Sequence, residues 1–297
     1  MANKKTKKPR LLLFAVVLIL TALLLDVGLE RSGWIQRSGF FYLNDYEITR
    51  RDHPEKVWDR VIFGSSELVS GYREELSQAG YVNLGMDYGV MTDLEAMLRR
   101  GELQVGHDLV IALNWGSLCD ELDTNPTYAW KRGRLEPYVY FQRDRLSQFA
   151  KDEFNALLGS GEPRSRYFLT QEKETYHGHM TQEELDARVE RLTGLFFPRG
   201  EDSFSENLAA LERVLAWCES HDLPVRALWL PEHPDARFGA VNDAVKARAG
   251  AICAAAGVEL LDLTDALPAE CFYDTGHMTL EEGAPVFTEV LDPWLMQ

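Results

Sequence analysis

Cysteine is scarce in this chain, and its spacing excludes the common metal and redox patterns. The four cysteines are Cys119, Cys218, Cys253 and Cys271. No CxxC pair occurs, so neither a zinc knuckle nor a dithiol redox motif is present. Outside the cytoplasm four cysteines can pair as disulfides; the plainer expectation is buried free thiols. Positive charge is in excess only at the amino terminus. Residues 1–10 carry Lys4, Lys5, Lys7, Lys8 and Arg10 and no acid, and taking those five charges from the net −16 leaves −21 on the remainder. So acidic a body argues against nucleic-acid binding, which needs a basic face to neutralise phosphates. Internal repeats and low-complexity tracts beyond the basic tail are absent. A Gly-x-Ser-x-Gly elbow is also absent, which counts against a lipase-like α/β-hydrolase.

Long apolar runs are limited to one. Leu11 to Leu25 is broken only by Thr21. Fifteen helical residues reach roughly 22 Å, against about 30 Å of hydrocarbon. Extension through Pro9 and on to Leu29 makes the helix long enough, with Asp26 near the far interface. A basic flank before the run predicts a cytoplasmic amino terminus and an external body. The segment Leu23 to Glu30 lacks a small-x-small cleavage site, so an uncleaved anchor is expected rather than a signal peptide. The predicted organisation is a basic cytoplasmic tail at 1–10, a transmembrane anchor at 11–29, a mixed aromatic stalk at 30–58 and an α/β domain at 59–297.

Short apolar runs then alternate with amphipathic stretches, the pattern of a parallel sheet covered by helices. Strands are predicted at Val61–Phe63, Tyr81–Leu84, Leu109–Leu113, Val225–Leu230 and Val258–Leu263. Helices are predicted at Glu67–Ala79, after a Thr92/Glu95 capping box, after a Ser203/Glu206 box, at 239–256, and after a Thr279/Glu282 box. Phe204, Leu208, Leu211, Leu215 and Cys218 mark one buried helical face, and Ala284, Phe287 and Leu291 mark another. The expected fold is α/β: a flavodoxin-like three-layer sandwich on five parallel strands. It is interrupted at about 120–200 by a polar, aromatic insertion with Tyr128, Trp130, Tyr138, Tyr140 and Phe141 near its start. A Thr181/Glu184 box caps a short helix there. The insertion reads either as a lid or substrate platform or as a packing appendage. His177 and His179, two apart, read as loop histidines rather than as a metal pair.

Sites in open α/β sheets form beyond the carboxyl ends of the strands. Gly64-Ser65-Ser66-Glu67 stands there after strand one, where a helix start favours developing negative charge. Asn83-Leu84-Gly85 follows strand two; a glycine lets the backbone N–H approach an oxyanion closely. Asn114 follows strand three and is either an oxyanion donor or a turn cap. Asp274-Thr275-Gly276-His277 precedes the last helix, and one turn brings such a carboxylate onto such an imidazole. His233, in Pro231-Glu232-His233-Pro234, follows strand four; it reads as a plain loop histidine or a substrate contact.

The order Ser, Gly, Asn and Asp-x-x-His, each after its own strand, resembles the SGNH or GDSL hydrolase superfamily over about residues 58–297. The resemblance implies Ser66 as nucleophile, Ser66 N–H, Gly85 and Asn114 as oxyanion donors, and Asp274 with His277 completing a triad, with no metal or organic cofactor. Ser65 stands where the family usually has Asp. Asn114 is followed by Trp115, which would alter the acyl pocket. With the anchor, Phe63-Gly64-Ser65-Ser66-Glu67-Leu68 looks most like the branch holding the D-alanyl-lipoteichoic acid biosynthesis and alginate O-acetylation proteins. That implies an extracytoplasmic esterase or O-acyltransferase, an acylated envelope polysaccharide or teichoic acid as substrate, and a membrane-bound O-acyltransferase as partner. The rival expectation is a non-catalytic surface protein of the same fold that binds such a partner or polymer.

Overall fold

The computed structural model describes residues 7–33, 41–133, 142–160 and 171–297. The first six residues of the basic tail, and Tyr138, Tyr140 and Phe141, lie outside the described residues. In chain order the elements are α1 (Lys7–Arg31), α2 (Asp45–Asp52), β1 (Trp58–Gly64), α3 (Ser66–Gly71), β2 (Val82–Gly85), α4 (Met91–Arg100), β3 (Val105–Leu113), α5 (Trp115–Leu118), α6 (Arg143–Leu157), α7 (Gln182–Phe196), α8 (Ser205–Ser220), β4 (Val225–Trp229), α9 (Ala240–Ala255), β5 (Leu260–Asp262) and α10 (Gly283–Leu295). They group into two units, residues 1–47 with 126–172, and residues 48–125 with 173–297.

In the first unit, α1 holds a stretch, Arg10–Arg31, of 22 residues that is long and apolar enough to cross a membrane. Residues 41–47 of the predicted stalk pack against the start of the insertion. Tyr128 stacks on Trp130 at 4.5 Å, Tyr46 meets Trp130 edge-on at 5.1 Å, and the Tyr128 hydroxyl donates to Asp45 at 2.9 Å. Arg145 of α6 is buried and pairs with Glu47. The insertion is therefore not one body: residues 126–172 belong to this unit, and residues 173–200 belong to the other.

The second unit is built on a wholly parallel sheet with strand order β2-β1-β3-β4-β5. This is the flavodoxin-like arrangement that the alternating pattern predicts. Residues 109–113 are fully buried, as expected of a strand covered on both faces. Alternation divides the strand residues between two layers. Ile62, Val110, Ala112 and Leu228 face α3 and α10 with Leu68, Phe287, Leu291 and Trp294. Their neighbours Val61, Phe63, Leu109 and Ile111, equally buried, face the layer in which α8 packs on α4 and α9. All five residues of the predicted α8 face are buried, and all four cysteines are free and buried.

Several predicted boundaries differ. The helix after β1 ends at Gly71, because Tyr72 turns extended and buries its ring in the core. The Thr92/Glu95 box does not form: Val90 caps α4, and the Thr92 N–H donates to Asn207. Ser203 accepts from the Arg199 N–H and leaves the start of α8 to Asp120, which accepts from the N–H groups of Glu206 and Asn207. Thr279 accepts from the Gly283 N–H at the start of α10, without a reciprocal bond from Glu282. Of the four predicted boxes, the Thr181/Glu184 box alone closes in both directions.

Candidate active site

Ser66, Gly85 and Asn114 sit where β1, β2 and β3 end, and Asp274 and His277 lie in the loop between β5 and α10. Ser65 caps α3 directly after β1, and Ser66 is its first residue. The two adjacent hydroxyls point to different partners. Ser66 Oγ lies 2.8 Å from His277 Nε2, whereas Ser65 Oγ accepts from Asn114 Nδ2 at 3.0 Å. Asn114, directly after β3, takes the capping role and leaves its amide nitrogen toward Ser65. Its Oδ1 accepts from the Ser117 N–H at 2.7 Å and caps α5, and its Nδ2 faces the site.

Asp274 and His277 meet through a single tight turn. Asp274 Oδ1 accepts from the Gly276 N–H at 3.1 Å and the His277 N–H at 2.8 Å. Its Oδ2 lies 2.9 Å from His277 Nδ1. Because an ionised carboxylate only accepts, the proton is on Nδ1, and Nε2 is left to accept from the Ser66 hydroxyl. Arg188 of α7 adds an ion pair to Asp274 Oδ2 at 2.6 Å. Burial alone would raise the Asp274 carboxyl. The His277 bond and charge, the Arg188 charge and the Gly276 N–H outweigh it and bring the group down to about 2. Burial alone would lower His277, but the bond and charge of Asp274, aided by Glu67, raise it.

A cavity of about 430 Å³ opens onto these groups. Ser65, Ser66, Glu67, Asn114, Trp115, Thr275 and His277 line its floor, and Arg188, Arg191, Leu192, Leu195 and Phe196 of α7 form a wall. The Trp115 ring packs at 5.8 Å from Phe196 and 5.0 Å from Phe238. The Tyr176 ring lies 4.4 Å from the His277 imidazole. Its backbone carbonyl accepts from the Leu280 N–H, which pins this part of the insertion beside the Asp-x-x-His turn. Among the described residues, no group of three or more His, Cys, Asp or Glu side chains is placed to hold a metal ion. His177 is exposed beside Glu281, and His179 bonds the Phe272 carbonyl.

Two sequence candidates are not brought to the cavity. The Gly85 N–H donates to Asn83 Oδ1 at 2.8 Å and is thereby committed within its own turn. The Asn83 amide in turn bonds the carbonyls of Leu68 and Tyr72. Glycine is required at 85 for a close approach: a Cβ there would lie 2.7 Å from the Val69 nitrogen of α3. His233 is buried away from the cavity lining, with its Nδ1 accepting from the Asp235 N–H. Burial holds its imidazole below the ordinary range. Its backbone N–H donates to the Thr275 carbonyl at 3.1 Å, so it braces the Asp-x-x-His turn from behind.

Sequence reasoning missed Glu67, Tyr176 and Arg188. Glu67 stood beside Ser66 and was legible as a neighbour. Tyr176 and Arg188 lie in the insertion, where nothing in the sequence connects them to residues a hundred positions away.

No family model and no curated protein matches the sequence. Among solved structures, a carbohydrate acetylesterase from Sinorhizobium meliloti is similar over 80% of this chain and 97% of that one. The identity is 10% and the TM-score 0.37, a likeness too slight to speak for the chemistry of this site.

Proposed function

We propose that the chain is an SGNH-type serine esterase or O-acyltransferase, carried outside the cytoplasmic membrane on α1 and acting on an acyl ester of a cell-envelope polymer. The observation that carries the chemistry is the continuous chain Ser66 Oγ, His277 Nε2, His277 Nδ1, Asp274, with links of 2.8 and 2.9 Å. In this reading His277 takes the Ser66 proton as Ser66 Oγ bonds to the acyl carbon. Asp274 keeps the imidazole in the required tautomer and stabilises its charged form. The Ser66 N–H at the start of α3 and the Asn114 amide hold the oxyanion. His277 then returns the proton to the departing alkoxide. Water or a sugar hydroxyl resolves the acyl-enzyme by the reverse sequence, and the outcome is hydrolysis in the first case and transfer in the second. The aromatic and aliphatic wall from Trp115 to α7 gives an acyl or sugar group a water-poor surface. A partnership with a membrane-bound O-acyltransferase is the corresponding source of acyl groups if transfer is the reaction.

The test is labelling of the full chain in detergent with a serine-reactive fluorophosphonate, together with hydrolysis of a small aryl acetate. Ser66→Ala loses labelling and several orders of magnitude of hydrolysis, as expected for a triad nucleophile. His277→Ala behaves alike. Ser65→Ala keeps labelling with a modest loss, since its hydroxyl only braces Asn114. Loss of labelling in Ser65→Ala instead of Ser66→Ala moves the nucleophile by one position. A folded wild type inert to both reagents ends the esterase reading and favours a binding protein of the same fold.

A further inference from the structure

The triad leaves one buried ionisable group of the site without a task. Glu67 directly follows Ser66 on α3, is only 6% exposed and lines the floor of the cavity. Carboxylates are almost never buried to this degree without a partner that offsets the lost hydration. Here the surroundings are specific. The Asn114 amide at the end of β3, which donates to Ser65, also favours the ionised carboxyl. The Asp-x-x-His turn closes over it at Gly276: a Cβ at that position would come closer than 3.0 Å to both carboxyl oxygens. A side chain at Gly276 would displace the Glu67 carboxyl from its seat, and Gly276 lies directly before His277.

Resting on the triad reading above, we infer that Glu67 is a positioning residue, a second carboxylate seated under the turn that acts through His277 by favouring its imidazolium form. Asp274 holds the Nδ1 side of the ring through a direct bond, while Glu67 acts by charge from beneath the turn. The charged groups that face Glu67 are His277, Asp274 and Glu232. Of these only His277 favours its ionisation, and Glu232 is itself held by the Trp229 indole and the Asn242 amide. Those that face His277 are Asp274, Glu67 and Arg188, with Arg188 opposing the two carboxylates. Burial pushes the Glu67 carboxyl up to about 7 despite the His277 charge and the nearby Asn114 amide. Glu67 and His277 are coupled, and each ion favours the other. The arrangement makes His277 a stronger base toward the Ser66 proton. It also moves the pH at which the imidazole becomes neutral, and so able to act, upward.

The experiment follows the His277 imidazole by NMR in full-length protein in detergent, labelled with ¹³C at histidine Cε1 and assigned through His277→Gln. Glu67→Gln keeps the shape but removes the charge. The expected result is a lower His277 titration midpoint than in wild type. In parallel, the acid limb of kcat/KM for an aryl acetate moves to lower pH. A purely structural Glu67 would change thermal stability and leave both midpoints in place, and an unmoved His277 midpoint in folded Glu67→Gln overturns the proposal. Should that variant fail to fold, Glu67→Asp is read instead. It keeps the charge but withdraws it by one methylene, so the midpoint falls, and an unchanged midpoint again overturns the inference. The NMR readout does not require turnover. A wild type inert to ester and probe ends the esterase reading, while the His277 midpoint still decides the role of Glu67.

Discussion

At the scale of the residue, the site is organised around what one carboxylate accepts. Asp274 is fully buried, and it receives two backbone N–H groups, one imidazole and one guanidinium. Saturating the acceptor oxygens in this way keeps the carboxylate ionised beside the imidazole. Arg188 and Glu67 pull His277 in opposite directions, which makes opposite predictions. Removing the Arg188 charge with Arg188→Met removes an influence that lowers the imidazole, so His277 rises further. The acid limb of kcat/KM is expected to move to higher pH, the reverse of Glu67→Gln. A pH–rate profile of the two variants side by side checks this, and movement in the same direction would exclude a charge effect at one of them. Ser65 and Ser66 were adjacent and chemically identical in the sequence. Only the turn out of β1 separates them, sending one hydroxyl to Asn114 and the other to His277.

At the scale of the element, α10 presents Phe287, Leu291 and Trp294 to the same layer as Ile62, Val110 and Leu228. It follows directly from the Asp-x-x-His segment, so its packing fixes one end of that turn. The other end of the sheet is tied by a polar network: Arg226 of β4 donates to Asp108 of β3 at 2.7 Å, to the Tyr81 hydroxyl at 2.6 Å and to the Trp294 carbonyl at 2.7 Å. Phe287 is fully buried, and Phe287→Ala is expected to cost about 3–5 kcal/mol of stability. Denaturant unfolding measures it; a loss below about 1 kcal/mol would mean that α10 is not a core element. The helices whose faces were legible in the sequence, α8 and α10, are those with an unbroken apolar stripe. Those whose caps were misjudged have competing acceptors supplied by distant residues, Asn207 for Thr92 and Asp120 for the start of α8. A capping box is a local pattern, and a better-placed partner from elsewhere in the fold overrides it.

At the scale of the whole molecule, the apolar helix α1 and the buried carboxyls predict how the protein behaves in cells and in acid. Full-length chain is expected to stay with the membrane fraction after carbonate washing, held by α1. Quantitative release into the supernatant, or recovery of mature chain lacking residues 1–30, would refute the anchor. Stability should carry a trace of Glu67. Its folded carboxyl titrates at about 7, against a reference of 4.5. The folded state thus binds this proton more tightly than the unfolded one. The corresponding stability is complete below the reference value and is lost as pH rises through the folded one, an effect on the order of a few kcal/mol. Asp274 acts in the opposite sense. Its carboxyl, held at about 2 against 3.8, adds stability that disappears only as pH falls through that lower window. Melting curves of wild type and Glu67→Gln between pH 4.5 and 7.5 should therefore converge at the acid end, with Glu67→Gln gaining relative stability toward the alkaline end. A constant offset across the range would show that Glu67 ionises in the fold as easily as in the unfolded chain.

By itself the sequence determined the features that depend on local period and order. Alternating apolar runs and amphipathic stretches specify a parallel sheet with crossover helices, because burial on both faces demands continuous apolar strands and connections of one hand demand helices between them. The Asp-x-x-His spacing also stood on its own, since a three-residue separation is closed by one turn regardless of what surrounds it. The tertiary structure alone decided which groups share the cavity. It committed the Gly85 N–H to Asn83, turned His233 into a brace for Thr275, and divided the insertion between two units. It also brought Arg188 and Tyr176 to the Asp274–His277 pair. These contacts join residues from about forty to more than a hundred positions apart, or, at Gly85, depend on which of several nearby acceptors captures an N–H. No period or propensity encodes that choice. It follows from how the layers pack and from the rule that every buried polar group must find a partner.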